Sequence, residues 1–125
     1  YYGYDDGLYA AVRLIDIMSN SLESIDDMIE KLPKVYNTAE IKLAVNDAIK
    51  FKIIESIKEL IKDRNIDFVD IDGLRVTTKH GWWLLRASNT GPAIIARCES
   101  STEKGLEIIK NELREILSRY NINLN

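Results

Sequence analysis

Arg86, Ser88, Asn89 and Thr90 are the residues of this chain best suited to chemistry, and that chemistry is the grip of a phosphate. They sit in the run Gly81 to Pro92, Gly-Trp-Trp-Leu-Leu-Arg-Ala-Ser-Asn-Thr-Gly-Pro, where an apolar strand passes into a turn. The Arg86 guanidinium is permanently charged, and its planar fork of donors matches phosphate oxygens bidentately. Ser88 and Thr90 add rotatable hydroxyl donors. Asn89 adds a carboxamide and tolerates left-handed backbone, while Gly91 permits a turn whose N–H groups face inward as an anion nest. Pro92 ends the turn. Arg97, one strand later, could add charge to the site or form a surface ion pair. On its own, Arg-x-Ser-Asn-Thr is equally what a plain turn prefers, so an ordinary loop stays open as a reading at this point.

Such a loop needs elements to aim it. Trp82–Ala87 alternates as a strand before it and Ala93–Glu99 as a strand after it. Further upstream, 40–45 alternates as a strand, and Asn46 is placed to cap a helix carrying Ile49, Ile53, Ile54, Ile57, Leu60 and Ile61. The segment 66–71 reads as a strand joined by a two-residue hairpin at Asp72-Gly73 to Leu74–Thr78. Ser100 or Ser101, with Glu103, suggests a capped final helix whose core face is Leu106, Ile109, Leu113, Ile116 and Leu117. The order β-α-β-β-β-β-α predicts an α+β domain, an antiparallel sheet of four to five strands with two helices on one face.

Two more helices precede it. The first carries Leu8, Ala11, Val12, Ile15 and Met18, with Asp5 or Asp6 as cap; the second carries Leu22, Ile25, Met28, Ile29 and Leu32, with Ser21 as cap and Pro33 as stop. Between these helices and the domain, Pro33 to Thr38 lacks either periodicity and is expected to be a linker and hinge. Two short helices cannot bury both apolar faces on each other, so they are expected to belong to a neighbouring domain. The aromatic start Tyr1-Tyr2-Gly3-Tyr4, without a methionine, points the same way, to a fragment.

Composition bounds the function. A chain of 125 residues, 46% hydrophobic, has room for one compact domain and a small extra piece. A formal charge of −3, with 17 basic residues scattered along the chain, argues against nucleic acid or an anionic membrane as partner. The single cysteine, Cys98, excludes an internal disulfide and reads as a small buried residue. With no membrane-length apolar run, a cytoplasmic location is expected. His80 lies in a turn and reads as solvent-exposed. Asp70 with Asp72, and Asp5 with Asp6, lack further ligands at metal spacing. Trp82 and Trp83 point to opposite faces of their strand, one toward the core and one nearer the surface.

The stretches Asp72-Gly73-Leu74-Arg75-Val76 and Gly81–Thr90, followed by Pro92 and Arg97, resemble the last domain of the α-D-phosphohexomutases, the phosphomannomutase/phosphoglucomutase enzymes. Tyr2 to Ala11 resembles the segment after that family's sugar-recognition loop, so the likeness covers nearly the whole chain, and it extends to the bacterial dual-specificity branch, which acts on both mannose and glucose phosphates. The resemblance implies a TATA-binding-protein-like fold for residues 36–125, a C-terminal substrate-phosphate-binding domain, after residues 1–35 as the helical tail of the third domain and the start of a linker. It implies an intramolecular phosphotransfer between hexose 1-phosphate and 6-phosphate through a bisphosphorylated sugar. Arg86, Ser88, Asn89, Thr90 and, with them, Arg97 would bind the phosphate that is not being transferred. No catalytic or metal-binding residue is expected in this segment: the family's phosphoserine, its Mg2+ loop and its sugar-reading loop lie in other domains. The implied partners are a phosphorylated hexose and the remaining domains, without nucleic acid or membrane. Many members carry Glu where this chain has Gly91, which implies a more mobile loop here. Two rivals stand beside this reading, a stand-alone anion- or nucleotide-binding module and a structural adaptor whose loop is only a turn.

Overall fold

In a computed structural model, residues 3 and 5–124 are described, so Tyr1, Tyr2 and Tyr4 of the aromatic start lie outside the described residues. The chain divides into two compact units, Tyr1–Lys34 and Val35–Asn125. In the first, α1 (Gly7–Ser19) begins at Asp6, whose carboxylate accepts from the Tyr9 N–H at 2.9 Å. The second helix, α2 (Ile25–Glu30), is shorter than its apolar spacing suggested. Its cap is Ser24, not Ser21, because Ser24 and Asp27 form a reciprocal capping box. Ser21 only closes the preceding turn, accepting from the Glu23 N–H, and leaves Leu22 outside the helix. Neither helix buries a residue, and Leu8, Val12, Ile15 and Leu32 stay exposed.

The second unit is α+β. Its strands are β1 (Tyr36–Asn37), β2 (Ile41–Ala44), β3 (Phe68–Val69), β4 (Leu74–Thr78), β5 (Gly81–Ala87) and β6 (Ala93–Ser100). Its helices are α3 (Lys50–Asp63) and α4 (Glu103–Ser118). The sheet is antiparallel and has six strands rather than four to five, in the order β1-β6-β5-β4-β3, with β2 also on β6. The additional strand comes out of the expected linker. Tyr36 and Asn37 pair with Ser100 and Glu99, and Thr38 exchanges bonds with Cys98 through its N–H and its hydroxyl. Tyr36 faces Ser100 while Ile41 faces Ala96, so one extra residue bulges between β1 and β2, and together they form one interrupted edge strand. Such pairing is incompatible with a hinge running through Thr38.

Alternation on the strands divides the sheet into two faces. Leu74 and Val76 of β4, Trp83 and Leu85 of β5, and Ile94, Ala96 and Cys98 of β6 lie in register and are fully buried. Against them pack Ile53, Ile57 and Ile61 of α3 and Ile109, Leu113, Ile116 and Leu117 of α4, so both helices cover one face. Burying a side chain of this size contributes about 1.5–3 kcal/mol, which makes this layer the main source of stability. Trp83 is on the core side and Trp82 on the other, where its ring carries the Arg75 guanidinium 4.6 Å from its centroid. The Trp83 indole N–H has no hydrogen-bond partner, and nothing in the structure explains that.

Several element ends differ from expectation for local reasons. Asn46 does not cap α3. It closes a turn before the helix, accepting from Ala48 N–H, and the cap residue Ile49 makes no side-chain bond. The strand expected over 66–71 shrinks to two residues, and four residues, 70–73, form the connection to β4 instead of a two-residue hairpin. The cap of α4 is Thr102, which accepts from Gly105 N–H, while Ser100 is buried as the last residue of β6 and donates to the His80 carbonyl. His80 is accordingly half-buried rather than solvent-exposed. Gly81 has φ +139, and a Cβ there would stand 2.1 Å from the Glu99 carbonyl oxygen, so the strands approach as closely as they do only with glycine.

Candidate functional site

The two longest strands, β5 and β6, lie side by side in the middle of the sheet and deliver the connection Ser88–Pro92 at one end. Ser88 N–H donates to the Ala93 carbonyl at 2.9 Å, which closes the neck of the loop. Inside the neck, Thr90 N–H leans on the Ser88 hydroxyl at 3.3 Å, the two hydroxyl oxygens lie 3.4 Å apart, and Ala93 N–H donates to the Gly91 carbonyl. Asn89 and Thr90 are exposed at the tip. The amide N–H groups of Asn89 and Gly91 make no hydrogen bond among the described residues. Arg86, Ser88, Asn89 and Thr90 therefore lie together at this end of β5, with the Asn89 and Gly91 N–H groups unbonded among the described residues.

The turn is not made as its composition suggested. Among the described residues positive φ occurs at Gly3, Asn65, Gly73, Gly81 and Asn121, so neither Asn89 nor Gly91 is left-handed. The loop instead closes around a buried ammonium. Lys50, the first residue of α3, is 3% exposed. Its Nζ donates to Asp47 Oδ1 at 2.6 Å, to the Gly91 carbonyl at 3.1 Å, and closely to the Ser88 carbonyl. Carbonyls drawn to one cation curl the chain without any residue entering left-handed space. A Cβ on Gly91 would meet nothing within 4 Å, so the backbone here accepts a side chain.

Arg86 is held from its other side. Its Nη1 lies 3.3 Å from Asp72 Oδ2, an ion pair between side chains that are 40% and 72% exposed. The contact depends on Gly73, at φ +88. A Cβ there would be 2.4 Å from the Leu85 carbonyl oxygen and 2.9 Å from Arg86 Cα, so the Asp72-Gly73 corner rests directly on β5. Asp70 takes a separate partner, Lys58, at 2.8 Å, and this hydrogen bond lowers the Asp70 carboxyl from its ordinary value and raises the Lys58 ammonium. An open cleft of about 280 Å³ runs beside these groups, lined among others by Phe51, Lys58, Asp70, Asp72, Arg86 and Asn89.

Arg97 lies on the same sheet face as Arg86. Arg86 is paired with Ile95, and Arg97 is two residues further along β6, a diagonal neighbour. It makes no ion pair or hydrogen bond among the described residues. Among those residues no three His, Cys, Asp or Glu side chains gather where a metal ion could be held. No helix among them is long and apolar enough to cross a membrane. Cys98 is buried under α4, and burial pushes its thiol up to about 11 against the weak opposite pull of Lys110. It has no part in the site.

Two residues of the site, Lys50 and Asp72, did not stand out as such in the sequence. For Lys50 one signal existed: a cation at the first position of a helix opposes the helix dipole, and a misplaced charge of that kind needs a partner. For Asp72 the hairpin reading concealed it.

The family described as phosphoglucomutase/phosphomannomutase, C-terminal domain, matches residues 40–116, which include every loop residue above. A phosphomannomutase/phosphoglucomutase of Pseudomonas syringae pv. tomato is 39% identical over 110 residues, covering 88% of this chain and 24% of that protein. The Pseudomonas aeruginosa protein of the same description is 36% identical over 124 residues, 99% of this chain and 27% of that protein. Among solved structures, a phosphoglucomutase/phosphomannomutase family protein of Burkholderia thailandensis superposes with a TM-score of 0.77 at 32% identity, covering 95% of this chain and 25% of the other. The chain thus spans about a quarter of the length of the relatives it matches.

Proposed function

This chain belongs to the phosphoglucomutase/phosphomannomutase family as its C-terminal domain, and on that premise we propose that the Ser88–Pro92 loop binds the phosphate of a phosphorylated hexose that is not being transferred. Arg86 supplies the charge and the fork, Ser88 and Thr90 the hydroxyls, Asn89 its amide, and Arg97 further charge across the sheet face. The whole protein would interconvert hexose 1-phosphate and 6-phosphate through a bisphosphorylated sugar, in the cytoplasm. The observation that supports this reading most is the convergence, at one strand end, of the Arg86 guanidinium with the unbonded Asn89 and Gly91 N–H groups and two hydroxyls. Arg86 and Asn89 also line the adjoining cleft, where Asp72 is the acid paired with Arg86.

The arrangement suits a two-step isomerisation. A bisphosphorylated sugar that turns over between transfers presents first one phosphate and then the other to the same loop. Hydroxyls and a guanidinium bind an oxyanion by its oxygens alone, so they grip either phosphate without demanding one sugar face. Asp70 and Asp72, the acids nearest the loop, are engaged by Lys58 and Arg86. By the family resemblance, the phosphoserine and the metal would belong to other parts of the protein. The domain's role in catalysis would be to hold the substrate and close over it.

The test is direct. Titrating the chain with glucose 1-phosphate while following backbone amide resonances should shift Asn89, Thr90 and Gly91 first, and Arg86→Ala should abolish the shifts. Residues 1–125 alone should show no turnover of mannose 1-phosphate or glucose 1-phosphate, with or without magnesium. Turnover by a pure preparation of this chain, or resonance shifts confined to another region, would rule the assignment out.

A further inference from the structure

Lys50 is the only charged side chain buried among the described residues, and it opens a helix, where a positive charge is least welcome. An ammonium has three protons to donate, and here each has an acceptor: Asp47 Oδ1 and the carbonyl oxygens of Ser88 and Gly91. The two carbonyls bracket the tip of the loop. Ser88 lies 38 residues from Lys50 in sequence and Gly91 lies 41, so the contact ties α3 to the β5–β6 connection. It does not serve the helix itself.

The orientation of the Ser88 carbonyl has a geometric consequence. In a trans peptide the C=O and the following N–H point in opposite directions across one plane. No cis peptide occurs among the described residues. With the Ser88 oxygen turned down onto Lys50, the Asn89 N–H must turn outward, and that is the N–H left without a partner. The Gly91 carbonyl is fixed in the same way, and Pro92 after it has no N–H to redirect. Lys50 therefore sets which polar atoms of the loop face inward and which face a ligand.

We propose that Lys50 is a positioning residue for phosphate recognition: it presets the Ser88–Gly91 backbone so that the Asn89 N–H stands ready for an anion before the anion arrives. The proposal rests on the phosphate-binding reading of this loop. Lys50 has no donor left for a ligand oxygen, since Asp47 Oδ1 and the two carbonyls take all three of its protons. Its effect is preorganisation, the removal of an ordering cost that the ligand would otherwise meet on binding. Asp47, whose side chain is 69% exposed, anchors the ammonium from outside and could be lost with less effect.

The experiment compares the chain with Lys50→Met, Lys50→Arg and Arg86→Ala, using inorganic phosphate as the probe and amide resonances with melting curves as readouts. A core variant, Val76→Ala, serves as a control for lost stability. Lys50→Met should weaken phosphate binding by about tenfold, the scale of one charge-assisted hydrogen bond, and should move the free-state resonances of Asn89 and Gly91. Lys50→Arg, which keeps charge and donors, should restore most of the affinity. Val76→Ala should melt earlier yet bind phosphate as the parent chain does. A folded Lys50→Met with unchanged phosphate affinity, alongside an Arg86→Ala that has lost it, overturns the role of Lys50 and leaves the phosphate site standing. Failure of the unmodified chain to shift any loop resonance with phosphate removes both. Should Lys50→Met not fold, Lys50→Gln, which retains an N–H donor but no charge, takes its place, and unchanged affinity there overturns the proposal equally.

Discussion

Arg86→Ala separates binding from stability because the structure gives the side chain so little else to do. Its one partner is Asp72 at 3.3 Å, with both side chains substantially exposed. Exposed pairs of this kind contribute about 0–1 kcal/mol, so the fold should lose no more than that, a fall of at most about 8 °C in the melting midpoint. Phosphate binding should respond far more. Two charge-assisted hydrogen bonds at about 1.5–3 kcal/mol each, less the 0–1 kcal/mol ion pair that Arg86 gives up on turning to the ligand, leave roughly 2–6 kcal/mol. That range corresponds to a loss of about 30-fold to 25,000-fold in affinity. In the whole enzyme the same loop would meet each phosphate in turn, so kcat/KM should fall in the forward and reverse directions together. Arg86→Lys should recover only part, since a point charge cannot reproduce the fork. The decisive assay pairs the melting midpoint with phosphate titration of the chain and with both directions of kcat/KM. Wild-type affinity in a folded Arg86→Ala, or a loss in one direction only, would refute the reasoning.

Asp72→Asn removes a carboxylate that both occupies Arg86 and repels an anion, so phosphate titration should show binding tightened by up to about fivefold; weakened binding would show that Asp72 aims the guanidinium instead. Gly81→Ala should destabilise the fold by roughly 2–5 kcal/mol in denaturant melts, because the new Cβ meets the Glu99 carbonyl, the Ile109 side chain and Ser100 Cα from a strained φ. Buried Cys98, pushed up to about 11, keeps its proton in the folded chain while the unfolded thiol loses it near pH 8.5–9. Its contribution to stability is therefore intact below that range and fades as pH rises toward 11. Melts of Cys98→Ala against the parent chain should show a shallower alkaline decline in the variant. At neutral pH a thiol reagent should modify Cys98 only at the rate of opening, and fast labelling would contradict its burial.

How far the sequence revealed this molecule depends on the range of the interactions involved. The run from Trp82 to Glu99 was legible because burial alternates with a period of two on both strands, a signal each strand carries within itself. Both helices over the sheet were legible from apolar spacing, yet their starts were not. The cap expected at Ser100 or Ser101 falls instead to Thr102, and pairing with Tyr36 holds Ser100 in the sheet. Likewise β1 has no pattern of its own. Two residues become a strand only because β6 offers them an edge.

The loop shows the same division at the level of function. Its residue types made Arg86, Ser88, Asn89 and Thr90 candidates for gripping a phosphate, and the family resemblance, more than the types, favoured that reading over a plain turn. They suggested the wrong means of shaping it, since Asn and Gly favour left-handed turns wherever nothing else bends the chain. Here something else does. A lysine some 40 residues away in sequence supplies the curvature by collecting carbonyls, so Asn89 and Gly91 stay out of left-handed space and the Asn89 N–H points away from the lysine. The consequence for Gly91 is specific: with no left-handed requirement and open space around its Cβ, Gly91→Glu should fold normally, and its melting midpoint should match the parent chain within about 2 °C, as surface substitutions commonly do. A pronounced fall would mean that the loop does need glycine, and that the lysine does not shape it alone.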